Sequence, residues 1–259
     1  MNIVVCAKQV IDPEAPSANF KIENQKAVMQ GNAPVLDPYG ECALELAIRL
    51  KAALGGKITV ITMGSGLVSS VVKKSLAMGA NELIQLEDDA FADADAYATA
   101  YGLSLAIKKL DGCDLILTGR EASDTNGGQT GPGIAEILGL PCVTLAKQID
   151  INDGQAKVQR VITDGHETVT VSLPAVVTVS SEIGEVRLPT IKGIMGAKKI
   201  KPTVYTAADI GLDVSAQRKS TIVQLFQPVH EANCEFVEGE SAEEIAEMLA
   251  EKLRAAKIL

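Results

Sequence analysis

The chain has 259 residues, is 47% apolar but only 3% aromatic, lacks tryptophan and carries a formal charge of −9. Its length suits one large α/β domain or two unequal ones, and apolar content drawn mainly from alanine, valine, isoleucine and leucine suits a sheet covered by helices on both faces. The acidic balance excludes binding nucleic acid through its backbone charge, while leaving room for a nucleotide whose phosphates are held by backbone amides.

The first apolar run, residues 2–7 (NIVVCA), has no charged leader or cleavage site before it, so we expect a cytoplasmic protein without a signal peptide. No stretch approaches the roughly eighteen consecutive apolar residues of a membrane span, so no direct membrane insertion is expected. Further short runs at 57–63 (KITVITM), 83–87 (LIQLE), 114–118 (DLILT), 142–146 (CVTLA) and 175–180 (AVVTVS) are mostly β-branched and predict strands. Segments 39–54, 67–79 and 93–110 carry apolar residues at i, i+3 and i+4 with charges opposite, which predicts helices. A further helix follows residue 130, with Ile134, Ile137 and Leu138 as its buried stripe, Gly139 as its stop and Pro141 preventing a restart. Strand alternating with helix implies parallel βαβ units: an α/β fold with a doubly wound, mainly parallel sheet flanked by helices.

Residues 157–173 (KVQRVITDGHETVTVSL) read as two extended stretches around Thr163, Asp164 and Gly165, an antiparallel hairpin at the sheet edge. After Ser181 the alternation ends. Residues 191–202 (IKGIMGAKKIKP) read as a glycine-broken basic loop, and 203–227 show no strong period. The stretch 241–253 (SAEEIAEMLAEKL) opens with a capping box, Ser241 with Glu244, and puts Ile245, Met248, Leu249 and Leu253 on one face of a C-terminal helix. That helix has two equally open destinations, the chain's own sheet or a partner.

In an open parallel sheet, ligands bind beyond the carboxyl ends of the strands. Three loops lie there: 6–8, 63–65 and 119–130. In the third (GREASDTNGGQT), Gly119, Gly127, Gly128 and the following Gly131 let backbone approach a ligand and turn amides inward. Gln129 and Thr130 stand at the mouth of a helix, where free N–H groups and the macrodipole favour a phosphate, and Asp124, Thr125 and Asn126 can hydrogen-bond a ribose or an adenine edge. An ordinary glycine-rich connection accounts for the same composition equally well. G-x-x-x-x-G-K-[ST], G-x-G-x-x-G after the first strand, and G-x-S-x-G are all absent. The cysteines, Cys6, Cys42, Cys113, Cys142 and Cys234, include no C-x-x-C pair, so no metal site is expected and they read as small hydrophobes. His166 and His230 read as surface residues, and no catalytic set can be assembled. The pattern describes a holder of nucleotide rather than a maker of bonds.

Four segments, in order and across essentially the whole chain, resemble the beta subunits of electron-transfer flavoproteins. They are VVCAKQVID at 4–12, Asp37–Pro38–Tyr39 with Glu41 and ALELAIRLK, the loop at 119–130, and RVITDGHETVTVSLPAVVT at 160–178. Departures are visible: Asp37 stands where the family usually has asparagine, Thr163 where it prefers an acid, and Glu121 where glutamine is common. Family members that hold AMP typically read D-x-x-N-Q-T-G-Q in the loop, and members that hold a second FAD and bifurcate electrons from NADH typically read D-G-D-T-A-Q-V-G-P. DTNGGQTGP shares Thr130 with the first, and Pro132 and a small residue before Gln129 with the second. The lack of bulk at 128 and the segment VYTAADIGLD look more like the second, so FAD is favoured.

The resemblance implies a heterodimer with an electron-transfer flavoprotein alpha subunit that carries the redox-active FAD, and either AMP or a second FAD in this chain. Carried over by position, the cofactor-binding residues would be Cys6, Asp37, Pro38, Tyr39, Gly40, Met63, Gly119, Arg120, Glu121, Ala122, Ser123, Asp124, Thr125, Asn126, Gly127, Gly128, Gln129 and Thr130. Residues Ile191, Lys192, Gly193, Ile194, Met195, Lys198 and Lys199 would form a recognition loop. Ile191 would anchor an acyl-CoA dehydrogenase or similar flavoenzyme, and the lysines would steer it. We therefore expect a nucleotide-binding α/β domain at 1–185, and at 186–259 a recognition loop and an arm docking on the partner subunit. The rival reading is an ATP-dependent enzyme of the adenine-nucleotide hydrolase type or a universal-stress-type ATP-binding module. Their loops, S-G-G-x-D-S after the first strand and G-x-x-G-x(9)-G-[ST] late in the fold, have no match here.

Overall fold

The computed structural model describes residues 1–16, 19–23, 26–29, 31, 33–228 and 234–259; His230 lies outside them. They form two compact units, Met1–Val223 and Gln224–Leu259.

In the first unit, β1 (Asn2–Cys6) runs into a short β2 (Gln9–Val10), a hairpin of β3 (Phe20–Glu23) and β4 (Lys26–Met29), and β5 (Val35–Leu36), which pairs with β2. Helix α1 (Pro38–Leu54) follows, with Asp37 as N-cap and Pro38 in its first turn, where the missing N–H costs nothing. It buries Leu44, Leu46, Ile48 and Leu50, each contributing about 1.5–3 kcal/mol of burial. After β6 (Lys57–Gly64) the expected helix at 67–79 is two short pieces, α2 (Ser69–Val72) and α3 (Lys74–Met78), broken at Lys73. Next come β7 (Glu82–Glu87), a 3-10 turn (Asp89–Asp93), α4 (Ala96–Lys108), β8 (Leu115–Gly119) and α5 (Thr130–Leu138), which ends on Gly139 in the left-handed region.

Strand β9 (Cys142–Asn152) outlasts the apolar run that announced it. It pairs with β10 (Gln155–Ile162), which turns at Thr163–Asp164 into β11 (Gly165–Ser172), the expected edge hairpin. Strand β12 (Ala175–Val179) returns to the centre, followed by a 3-10 turn (Ser181–Ile183). The unit continues past residue 185 through α6 (Ile191–Lys199), β13 (Thr203–Tyr205), α7 (Ala207–Ile210) and α8 (Val214–Gln217). The segment read as a basic loop is therefore a helix. Thr190 caps it, accepting the Gly193 amide at 3.0 Å. Gly193 also lets it lie on α3, because a Cβ there would stand 2.2 Å from the Ala77 carbonyl oxygen.

The sheet runs β11-β10-β9-β12-β8-β1-β6-β7-β13, parallel from β9 to β13 and antiparallel between β9 and β10 and between β10 and β11. Alternate residues feed two cores. Ile3, Val5, Ile58 and Val60 pack with α1 and α3 on one face, and Val4, Ile61, Ile84 and Ile116 with α4 and α5 on the other. The chain winds β1, β6, β7 one way and returns to β8 on the other side of β1. Helices α1 and α5 thus leave adjacent strands on opposite faces, and a crevice opens between the ends of β1 and β8.

In the second unit α9 (Ala242–Ala255) is capped by Ser241, which accepts the Glu244 amide, while the Glu244 carboxylate accepts the Glu240 amide. Lys252 pairs with Glu235. No residue of α9 is buried, so its apolar stripe lacks a cover. Among the described residues no helix is long and apolar enough to cross a membrane.

Candidate functional site

A cleft of about 480 Å³ occupies the crevice at the carboxyl ends of β1, β6, β7 and β8, within the usual range for small-molecule sites. Each of the three loops expected from sequence lines it, through Cys6 and Lys8, through Met63–Ser65 residues Met63, Gly64 and Ser65, and through the loop after β8. Of the residues carried over by position, Cys6, Asp37, Gly40, Met63, Gly119, Arg120, Glu121, Ala122, Thr125, Gly127, Gly128, Gln129 and Thr130 form its walls. Pro38, Tyr39, Ser123, Asp124 and Asn126 do not line it. Ser123 donates its amide and hydroxyl to Asp37 at 2.7 and 2.8 Å. Asp124 receives Lys8 Nζ at 2.7 Å, and the Tyr39 ring carries the Arg120 guanidinium 4.9 Å above it. Asn126, at φ 49°, turns the chain after Ala122 accepts the amides of Thr125 and Asn126.

Close packing fixes the frame. A Cβ on Gly119 would come within 2.7 Å of Tyr39 Cβ, and one on Gly131 within 2.6 Å of both Thr118 Oγ1 and Thr178 Cγ2. By contrast, a Cβ on Gly127 would meet nothing within 4 Å, so the loop there faces free space. Helix α5 starts without a side-chain cap. Among the described residues the amides of Gly127, Gly128, Gln129, Thr130 and Gly131 donate to no protein acceptor. Five unspent donors at a helix N-terminus form a cradle for an anion, reinforced by the helix dipole.

Two walls escaped the sequence reading. The stretch after β7 contributes Phe91, Ala92, Ala94, Asp95 and Ala96, and a strap after α8 contributes Ser220 and Ile222. Asp88 and Asp95 were the available signals, each an N-cap with a second task. Asp88 accepts Ala90 N and Ala207 N, and Asp95 accepts Ala98 N together with the amides of Lys219 and Ser220.

Burial, with a smaller contribution from Cys113, pushes the Cys6 thiol up to about 12, so it stays protonated and inert. No group of metal-binding side chains occurs among the described residues, and the cysteines are free.

The family described as "Electron transfer flavoprotein domain" matches residues 26–210. An electron transfer flavoprotein subunit beta of Thermoanaerobacterium thermosaccharolyticum is 39% identical over 214 residues, covering 82% of this chain and 81% of that one. The chain belongs to the electron-transfer flavoprotein beta-subunit family. Subunit CarD of the caffeyl-CoA reductase-Etf complex of Acetobacterium woodii is 34% identical over the full length of both chains. The Bacillus subtilis electron transfer flavoprotein subunit beta is 33% identical, also end to end.

Within this flavin-associated family, the segment expected to carry partner recognition is α6. Ile191 is 81% exposed and Met195 62%, with Ile194 beside them, while Ala197 is buried and Gly193 rests on α3. Lys192, Lys198 and Lys199 are exposed, the last two in the final turn, where cations complement the helix dipole. Leu188, 82% exposed just before the helix, extends this apolar patch and was not singled out from sequence. The patch is held by a buried anchor: Glu45 on α1 accepts Arg187 Nε at 2.7 Å and Arg49 Nε at 2.8 Å, and Arg49 also donates to the carbonyls of Ile183 and Glu185.

Proposed function

We propose that this beta subunit holds an adenine nucleotide in the β1/β8 cleft, in a heterodimer whose alpha subunit carries a redox-active FAD. The observation that carries the reading is the row of unspent amides from Gly127 to Gly131 facing a cleft at the sheet's switch point. The phosphates would lie against these amides, with Arg120 beside them and the Thr125 side chain on the same wall. The ring system would lie over the apolar bed of Ile61, Met63, Phe91 and Leu103.

Between AMP and FAD we favour FAD. Free space at Gly127, small residues at 127 and 128, and full-length similarity to a subunit of a caffeyl-CoA reductase-Etf complex support the larger cofactor. A bound flavin would accept hydride from NADH and pass electrons on singly; the protein sets its position, polarity and access. This chain's residues bind and orient: the loop at 119–130 fixes the phosphate end, and Cys6 stays an unreactive wall. The strap at 219–222 limits entry of water. On this reading the α6 patch docks an acyl-CoA dehydrogenase or similar flavoenzyme, with Ile191 as its apolar anchor and the lysines steering approach. The uncovered face of α9 packs on the alpha subunit.

The test is stoichiometry. The chain is produced with its alpha subunit, denatured, and its released cofactors are quantified. Two FAD per pair supports an NADH-dependent bifurcating role, one FAD with one AMP reduces this subunit to a structural nucleotide carrier, and no adenine nucleotide in this chain ends the reading.

A further inference from the structure

Among the described residues, the cations that line the cleft are Lys8 and Arg120, and each is already paired with a carboxylate. Lys8 Nζ lies 2.8 and 2.7 Å from Oδ1 and Oδ2 of Asp124. Arg120 Nε and Nη2 both donate to Oε1 of Glu121, its neighbour in sequence, at 2.9 and 2.7 Å. The guanidinium also stacks on the Tyr39 ring, 4.9 Å from its centre. Glu121 lines the cleft as well, as do Asp37 and Asp95. The walls therefore offer no surplus of positive charge. Arg120 is nonetheless well placed to supply one, because its backbone abuts the amide cradle: a Cβ on Gly128 would stand 3.4 Å from the Arg120 carbonyl oxygen. The chain departs from its family at this point, with an acid at 121 where glutamine is common.

We propose that Glu121 is a specificity-determining residue of the cleft: by neutralising Arg120 it leaves the phosphates to backbone amides, so that the cleft takes an adenine nucleotide with about two phosphate charges, a monophosphate or a dinucleotide, and turns away a triphosphate. This deepens the nucleotide reading above and rests on it. Amides at a helix mouth present only partial charge, about half a unit in sum. That suits a small phosphate charge and falls well short of the roughly four carried by a triphosphate. A guanidinium free of its carboxylate would add a full charge beside the cradle and reward each further phosphate. Glu121 cancels that reward, and the carboxylates in the walls make any excess anionic charge repulsive. Glutamine would still accept from Arg120 through its carbonyl oxygen, so the guanidinium would keep its place with its charge uncompensated.

The test uses the full chain in complex with its alpha subunit, with this chain's nucleotide removed and the alpha-subunit FAD retained, titrated calorimetrically with FAD, AMP and magnesium-free ATP. The parent is expected to bind AMP about tenfold or more tighter than ATP. Glu121→Gln is expected to tighten AMP about threefold and ATP, with twice the charge, about tenfold, and both gains should shrink in high salt. Adding Arg120→Gln removes both charges and should return each affinity to within about twofold of the parent. Two results in the variants overturn the inference: a gain for ATP in Glu121→Gln no larger than that for AMP, or gains that survive in the double variant. Should the double variant not fold, Glu121→Gln decides alone. A parent that binds AMP and ATP alike, or FAD but not AMP, overturns only this inference. A parent that takes up none of the three overturns the underlying reading, and this one with it.

Discussion

The Asp95 carboxylate grips Ser220 twice: Oδ2 accepts its backbone amide at 2.7 Å and its hydroxyl at 3.1 Å. The same oxygen accepts the Lys219 amide, while Oδ1 caps α4 through the Ala98 amide. Lys219 lies 5.2 Å over the Tyr97 ring. A helix cap and the fastening of a cleft-lining strap are one group. Asp95→Asn keeps an oxygen for the cap but loses the charge on the strap. Hydrogen exchange at residues 219–222 should accelerate, and nucleotide should dissociate about fivefold faster, as about 1 kcal/mol of charge-assisted hydrogen bonding is lost. Unaltered exchange there would show the strap to be held by other contacts.

The same carboxylate makes the fastening sensitive to acid. Burial alone would raise its pKa, but the amides of Ala98, Lys219 and Ser220 and the Ser220 hydroxyl outweigh this and hold it below its ordinary 3.8. A depressed folded-state value contributes stability that is complete above the ordinary value and is lost as pH falls through the depressed one. The protection factor of the Ser220 amide should therefore be flat from about pH 5 to 8 and collapse below about pH 4. A collapse near neutrality would point to some other titrating group.

Two glycines close together in sequence should respond in opposite ways. Gly127→Leu places its side chain in the open cleft, so nucleotide content should fall severalfold with little change in Tm. Gly131→Ala drives a methyl into Thr118 and Thr178, and should cost about 1–3 kcal/mol of stability by overpacking. Denaturant melts with cofactor analysis on the same samples separate the two. Equal occupancy in Gly127→Leu would remove this face of the loop from the site.

Glu45 is buried beneath two arginines. Burial would raise its carboxyl, but hydrogen bonds from Arg187 and then Arg49 pull it below the ordinary carboxylate value. Glu45→Gln should lower stability by about 2 kcal/mol, since it weakens charged hydrogen bonds to both. It should also loosen residues 183–187, which lead into α6. Urea unfolding and proteolysis near Arg187 measure both effects, and a fully stable variant with an intact segment would dismiss the anchor.

Ile191 touches little within its own unit, so Ile191→Ala should leave Tm and cofactor content unchanged. Electron transfer to a flavoenzyme partner should slow about tenfold or more, as expected when an interface anchor is truncated. Stopped-flow transfer with matched cofactor loading reads this directly, and parental rates would move the docking surface off α6.

The fold was legible wherever strands are buried on both faces. β1, β6, β8 and β12 are nearly continuous apolar runs, and their helices carry a clear period. The end of β9 was not, because its KQIDIN half alternates at a sheet margin and pairs through a bulge near Gln159 and Arg160. Helix α6 hid behind Gly193 and Gly196: glycine lowers intrinsic propensity, and only the contact with Ala77 shows why one is needed. Helices α7 and α8 have four residues each, too few to display a period, although Thr206 and Asp213 announce them as caps. In the site, the loop after β8 could be read because its glycines and helix mouth are local signals. Asp95 and Ser220 meet across 125 positions, and no local pattern encodes such a meeting.

Cys6 lies at the floor of the cleft, its sulfur kept as SH by burial. A sulfur anion next to an oxidising ring would be a rival reductant and a trap for electrophiles. If a flavin occupies the cleft as proposed, leaving the proton in place would make that wall electrochemically silent toward it.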